Sequence, residues 1–280
     1  MKGFRYRVAG KRVLVTGASS GIGRALAIEL GRRGAQLVLS ARRTELLEQV
    51  ATEVTREGGL APVIAPADLS VPGQATELAS IAGEVDVLVN NAGVGIAGTQ
   101  WIVGDRDEAR ELFEINYWSA LALVRSLVPD MRKRGSGLIV NIASLGTAVP
   151  LPLIGHYEAS KAAIQLSSEV LRSELRGSGV RVLLVQPSFV DTPMIEPART
   201  HRSLKRPLRL YRPVSAEGLA RTTARALENG RRRVVYPGLF TPAATVPMIG
   251  RLAARIAADK HAADEQELIG SPNYVKAASQ

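Results

Sequence analysis

Seven short runs dominated by Val, Ile and Leu punctuate the chain, with a segment of helical spacing between each and the next. The runs fall at 11–17 (KRVLVTG), 36–41 (QLVLSA), 61–68 (APVIAPAD), 85–93 (VDVLVNNAG), 137–144 (GLIVNIAS), 180–187 (VRVLLVQP) and 232–237 (RRVVYP). The intervening segments 22–33, 44–57, roughly 74–82, about 105–134, 157–177 and 215–229 read as helices. The apolar runs are continuous rather than alternating, which is the pattern of strands covered on both faces. Strands joined through helices must cross over right-handed, so the alternation predicts an α/β chain with a parallel, doubly wound sheet in three layers, α/β/α. A chain of 280 residues is long enough for one large core, and a single domain over 1–280 is expected, with its sheet-forming part at about 10–238.

The turn after the first strand reads Thr16-Gly-Ala-Ser-Ser-Gly-Ile-Gly23 and runs straight into a helix. Gly17, Gly21 and Gly23 let the backbone turn tightly and approach an anion, with Ser19, Ser20 and Ile22 in the same turn. The helix start behind them offers free N–H groups and the positive end of a dipole. A glycine cluster between first strand and first helix is the phosphate-binding element of a Rossmann-type dinucleotide fold. The second strand ends in Ser40-Ala41-Arg42-Arg43, without the carboxylate that usually receives a free ribose 2′-hydroxyl. Arginine suits a 2′-phosphate, because its planar fork pairs with phosphate oxygens. NADP(H) is therefore expected over NAD(H).

Composition closes off other chemistries. No cysteine is present, so disulfides and thiolate sites are excluded, and His156, His201 and His261 show no ligand spacing, so no metal is expected. The net charge is +10, but residues 196–260 carry 14 Lys/Arg against 4 Asp/Glu and the remainder is balanced at 22 each. The basicity is regional, not a chain-wide footprint for nucleic acid. The N-terminus shows no apolar signal segment and no run of 18 apolar residues occurs, so a cytoplasmic protein is expected.

Further along stand Asn90-Asn-Ala-Gly93, Asn116, Ser144 and Tyr157-Glu-Ala-Ser-Lys161, each at an expected strand end or within a helix. In that order, with the glycine loop, these segments resemble the short-chain dehydrogenase/reductase family, over about residues 10–238. The resemblance implies that Tyr157 is the general acid/base, Lys161 its helical partner and a ligand of the ribose, Ser144 a donor to the reacting oxygen, and Asn116 a support for a proton-relay water. It also implies that Asp68 lies near the adenine, that Asn90, Ala92 and Gly93 line the cofactor, and that Pro187, Val190 and Thr192 hold the carboxamide. Where the family has Pro-Gly, this chain has Pro187-Ser188. The chemistry is coherent. Tyrosine titrates near 10, and a cation one helical turn away, at i+4, favours the phenolate and moves it toward the operating pH. His156 is expected to be a bystander, and Trp118 and Met131 to serve packing.

The stretch 194–213 is expected to be a substrate lid. It holds Arg199, Arg202, Lys205, Arg206, Arg209 and Arg212, with no acid after Glu196. Leu204, Leu208 and Tyr211 share a helical face, although Pro207 interrupts a single helix. Such a lid could receive an acidic carrier protein or an anionic membrane surface, giving peripheral membrane association. A C-terminal extension over 239–280 includes an amphipathic stripe, Val246, Ile249, Ala253 and Ile256, with Arg251, Arg255 and Lys260 between, followed by a loosely ordered tail from about 262. The expected function is NADPH-dependent interconversion of a ketone or aldehyde and an alcohol on a lipophilic substrate, in a homodimer or homotetramer. The alternatives are a 3-oxoacyl (acyl-carrier-protein) reductase and, in another class, a non-catalytic dinucleotide-binding regulator.

Overall fold

The computed structural model describes residues 6–148, 150–195, 212–246 and 276–277. Seven parallel strands form the main sheet: β1 (Arg12–Thr16), β2 (Gln36–Ser40), β3 (Val63–Ile64), β4 (Val87–Asn90), β6 (Gly137–Ile142), β7 (Val180–Pro187) and β8 (Arg233–Tyr236). Their order across the sheet is β3-β2-β1-β4-β6-β7-β8. The chain reverses direction of winding between β1 and β4, and in sheets of this kind the crevice for ligands opens at that switch, beyond the carboxyl ends of the strands.

Burial explains why the strands read as continuous apolar runs. Val13 and Val15 of β1 join one core, packed under α1 (Gly21–Arg32) and α2 (Thr44–Arg56). Leu14, between them, joins the other, under α3 (Gln74–Ala82) and α6 (Ser119–Lys133). Successive strand residues face opposite sides, so a sheet with two covers needs both sets apolar. The helix Ala216–Glu228, here α8, buries Leu219, Ala220, Thr223, Ala224 and Leu227, an i, i+4, i+8 stripe that seats it on the first of these cores.

Three elements depart from the sequence-based expectation. The run 61–68 yields only the two residues of β3, because Pro62 and Pro66 have no N–H to give a ladder. The run 85–93 shortens to β4, and its remainder leaves the sheet. The segment 105–134 is not one helix: after a separate α4 (Gln100–Val103), α5 (Asp107–Phe113) leads into a π-helical turn at Glu114–Trp118, after which α6 begins. Within it, Met131 is fully buried as expected, but Trp118 is 54% exposed, with its ring against the edge of Tyr117, so it does not serve the core.

The helix α7 (Gly155–Glu174) carries Tyr157 and Lys161. A 3₁₀ turn, Gly238–Phe240, and a short helix α9 (Thr241–Thr245) follow β8. Of the expected lid, only Met194, Ile195, Arg212 and Pro213 lie within the described residues, and Arg199, Arg202, Lys205, Arg206 and Arg209 lie outside them. The stripe from Ile249 to Ile256 lies outside them as well. In the tail, Lys276–Ala277 forms strand β9, antiparallel to β5 (Gly95–Ile96). Among the described residues no helix is long and apolar enough to cross a membrane.

Candidate active site

The carboxyl ends of β1, β4, β6 and β7 bring the motif residues to one edge of the sheet. At β1 the backbone turns with Gly17 at φ +63° and Gly21 at φ +51°, a region that favours glycine. Asn91 grips this turn. Its Nδ2 donates to Thr16 O (2.9 Å) and Gly17 O (3.1 Å), while Thr16 Oγ1 accepts the N–H groups of Asn91 and Ala92 (3.0 Å each). A methyl group at Gly23 would stand 2.5 Å from Asn91 Nδ2, and one at Gly21 2.9 Å from Thr192 Cγ2. The three glycines let Asn91, Ala92 and Thr192 close on the turn at the start of α1, and Ser20 does not cap that helix with its hydroxyl. This cradle fits the pyrophosphate of a dinucleotide.

Ser19 is buried, Ile22 packs on the core, and Arg42 is exposed, with Arg43 half-buried, at the end of β2. Ala67 N–H donates to Ala41 O (3.1 Å) and so sets Asp68 beside that strand end. Asp68 Oδ1 accepts from Ser70 N–H (3.0 Å) and Oγ (2.6 Å). The segment after β7 is anchored, since Val190 bridges Val214 in parallel and Asp191 N–H donates to Val214 O (2.9 Å). Ser188 needs no positive φ and donates its N–H to Tyr236 O (2.8 Å), so serine stands without strain where the family has glycine. The Asn90 amide turns into the sheet and donates to Asn141 Oδ1 (2.8 Å), while Asn91 holds the glycine loop. Spacing alone did not separate the two adjacent asparagines.

The four residues expected to carry catalysis converge. The Ser144 and Tyr157 hydroxyls are hydrogen-bonded. Gly146 N–H donates to Ser144 Oγ (3.1 Å), which leaves the serine's own proton to be donated onward. Lys161 Nζ donates to Ile142 O (3.1 Å) and lies 5.8 Å from the centre of the Tyr157 ring. A methyl group at Gly93 would stand 3.1 Å from Lys161 Nζ and 3.2 Å from Asn116 Oδ1. Gly93 therefore makes room for the Lys161 and Asn116 side chains themselves. Asn116 sits in the π turn with its side chain engaged. Oδ1 accepts Val94 N–H (2.8 Å), and Nδ2 donates to Val94 O (3.0 Å) and Ser160 Oγ (2.9 Å). A contribution to a relay water would come from its backbone, which the wide turn pairs less regularly than an α-helix. His156 Nε2 lies 2.8 Å from Gly104 O, a tie between α7 and α4 rather than a reacting group.

The electrostatics depart from the expected effect of Lys161. Burial pushes Tyr157 up to about 12, against the Ser144 hydrogen bond, and burial pushes Lys161 down to about 8. At this depth desolvation decides the direction for both groups.

The loop between β6 and α7 carries an unusual backbone. Leu153 is buried yet has φ +75°, and its carbonyl accepts Gly98 N–H (2.7 Å), clamping the loop to the segment after β5. The left-handed region is disfavoured by roughly 1–2 kcal/mol for residues with a Cβ. Leu153→Ala and Leu153→Gly lose nearly the same buried surface, but only glycine relieves the backbone. The glycine variant is expected to be the more stable by about 1 kcal/mol in urea unfolding, reversing the usual order. A more stable alanine variant would show that the strain is not there.

Comparison with known proteins follows the same lines. The family model described as short chain dehydrogenase matches residues 11–203. Dehydrogenase/reductase SDR family protein 7-like of Drosophila melanogaster is 36% identical over 197 residues, 68% of this chain and 60% of that protein. The chain thus spans less than two thirds of that relative's length. A fatty acyl-CoA reductase of Mycobacterium tuberculosis is 36% identical over 203 residues, 70% of this chain and 69% of its own. The structure of a short chain dehydrogenase/reductase of Burkholderia phymatum in complex with NAD superposes with TM-score 0.76 at 29% identity, covering 86% of this chain and 94% of that one. A short-chain dehydrogenase of Sphingobium yanoikuyae in complex with NADPH gives TM-score 0.74 at 27% identity, covering 91% and 98%.

Proposed function

The chain belongs to the short-chain dehydrogenase/reductase family, and from that premise we propose that it is an NADPH-dependent oxidoreductase interconverting a ketone or aldehyde and an alcohol on a lipophilic substrate. The observation that carries the reading is the meeting of Ser144, Tyr157 and Lys161 at the strand ends, facing the glycine cradle of the same sheet.

A reduced nicotinamide, when bound, would supply the hydride. The chain supplies position and protons. Ser144 donates a hydrogen bond to the carbonyl oxygen and steadies the negative charge that grows there. Tyr157 transfers its hydroxyl proton to that oxygen, so the carbonyl gains a hydride at carbon and a proton at oxygen, and leaves as an alcohol. Lys161 stands close enough to stabilise the resulting phenolate until it is reprotonated. A phenol held near 12 is fully protonated at neutral pH, which suits reduction.

Arg42 and the absence of an acid at the end of β2 support NADPH, and the structural relatives carry NAD in one case and NADPH in the other. Replacing Arg42 with Asp is expected to raise the KM for NADPH roughly tenfold or more and to leave that for NADH little changed, read from parallel initial rates. An equal effect on both cofactors would remove Arg42 from 2′-phosphate recognition.

The test of function is cofactor oxidation, with NADPH and NADH in parallel, over free lipophilic ketones and aldehydes and a carrier-linked 3-oxoacyl thioester. Turnover of the free carbonyls with NADPH supports the proposal. Turnover of the carrier-linked substrate alone favours the 3-oxoacyl reductase and a docking role for the basic stretch 199–212. NADPH binding with no turnover of any carbonyl favours a regulator.

A further inference from the structure

Glu158 is 8% exposed, follows Tyr157 in the chain, and has no task in the reaction as described. Its carboxyl lies under the loop between β6 and α7. Leu151 N–H donates to both oxygens, at 3.1 Å each. A methyl group at Gly146 would stand 3.0 Å from Glu158 Oε1 and 3.3 Å from Ser144 Oγ. One carboxyl therefore touches both arms of the loop that begins at Ser144.

Among the described residues no charge on the covering loop balances it. Residues 144–154 and α9 hold no charged or titratable side chain. The titratable neighbours in sequence are His156, Tyr157 and Lys161 of its own helix. The other elements packed on α7 carry Asp107, Glu108, Arg110 and Glu111 of α5, Glu114 and Tyr117 of the π turn and Arg181 of β7. Among the described residues no cation pairs with it, and burial pushes it up to about 8. A carboxylate so placed has little to offset its desolvation, and its charge in turn pushes Tyr157 up.

We infer that Glu158 is a positioning residue: its carboxyl ties the loop that presents Ser144 to the helix turn that presents Tyr157, and its charge is felt at the Tyr157 hydroxyl. This rests on the reading of Tyr157 as proton donor. The sign is definite. Below about pH 8 the carboxyl is neutral and leaves the phenol unopposed, which favours reduction. Above it, the carboxylate disfavours the phenolate that alcohol oxidation would require.

Two substitutions separate the tie from the charge. Glu158→Gln keeps an acceptor for Leu151 N–H and removes the charge, whereas Glu158→Ala removes both. Tyrosinate absorbance of the cofactor-free full chain, referenced to Tyr157→Phe in each background, reads Tyr157 by itself. In Glu158→Gln, Tyr157 is expected to titrate lower by about half a pH unit or more. Thermal unfolding supplies a second readout. The folded carboxyl keeps its proton above its ordinary value of 4.5, so wild-type stability falls as pH rises from there to about 8, and Glu158→Gln is expected to lose that fall. With NADPH and decanal as probe, Glu158→Gln should keep kcat at neutral pH within about twofold. Glu158→Ala should lose about tenfold in kcat with the KM for NADPH unchanged. An unshifted Tyr157 titration in Glu158→Gln would overturn the inference, as would full kcat in Glu158→Ala. If decanal is not turned over by the wild type, the oxidoreductase reading fails for that substrate, while the titration and unfolding still decide Glu158.

Discussion

Tyr157→Phe is expected to lower turnover roughly a thousandfold while leaving the affinity for NADPH within about twofold. The change removes one oxygen and keeps the ring, which packs against Val94, Ile96, Leu112 and their neighbours. The fold has no reason to move. What disappears is the phenolic proton, on the side chain that Ser144 hydrogen-bonds. Ser144 can still polarise a carbonyl, but no group then delivers the proton, so the loss should fall on kcat rather than on cofactor binding. The pH dependence sharpens the test. A phenol held near 12 is protonated throughout the neutral range, so wild-type reduction should be flat there. Oxidation of the alcohol requires the phenolate and should climb roughly tenfold per pH unit in the alkaline range, a climb that the phenylalanine variant should lack. NADPH binding is read by fluorescence titration. Substantial residual turnover with an unchanged pH profile would assign the proton to another group.

The sheet was legible because each of its strands answers to two covers. Val13, Leu14 and Val15 had to be apolar together, and that triplet could be read without knowing what lay above or below. The phosphate turn and Tyr157/Lys161 were legible for a related reason, since their roles depend on residue type at short spacing. What escaped was set by contacts distant in sequence. Nothing near Asn90 or Asn91 states that one will bond Asn141 across the sheet and the other the glycine turn. The π turn around Asn116 has an ordinary helical composition, and its extra residue is settled by the partners of the Asn116 side chain, Val94 and Ser160. The burial of Glu158 follows from the loop folded over it, which meets its carboxyl at Leu151 and Gly146, and no local spacing states that. The same limit applied to charge. An i, i+4 pair states that Lys161 is near Tyr157, but the depth at which both lie, which decides their protonation, is a property of the packed site.

Gly23→Ala is expected to weaken dinucleotide binding by about a hundredfold or more and to destabilise the fold by about 1–3 kcal/mol. Glycine at this position is not needed for its backbone angles, since its φ is not positive. It is needed for space. A methyl group there would overlap Gly17 O, stand 2.8 Å from Gly17 C and 2.5 Å from Asn91 Nδ2. Neither neighbour has room to retreat. Gly17 is backed by Ala92, whose Cα would be 2.8 Å from a methyl on Gly17 itself. Asn91 is held to Thr16 O and Gly17 O by the hydrogen bonds that close the turn. The overlap can be relieved only by moving α1 off the turn or by breaking the Asn91 bonds, and either opens the cradle from which N–H groups would meet the pyrophosphate. Gly58→Ala is the control. That residue has φ +87° with nothing within 4 Å of the added carbon, so its substitution carries backbone strain of about 1 kcal/mol and no steric overlap. Calorimetric titration of NADPH into both variants, with urea unfolding alongside, separates a jammed phosphate loop from general destabilisation. Equal losses of affinity in the two variants would mean that the turn at Gly23 is not where the dinucleotide binds.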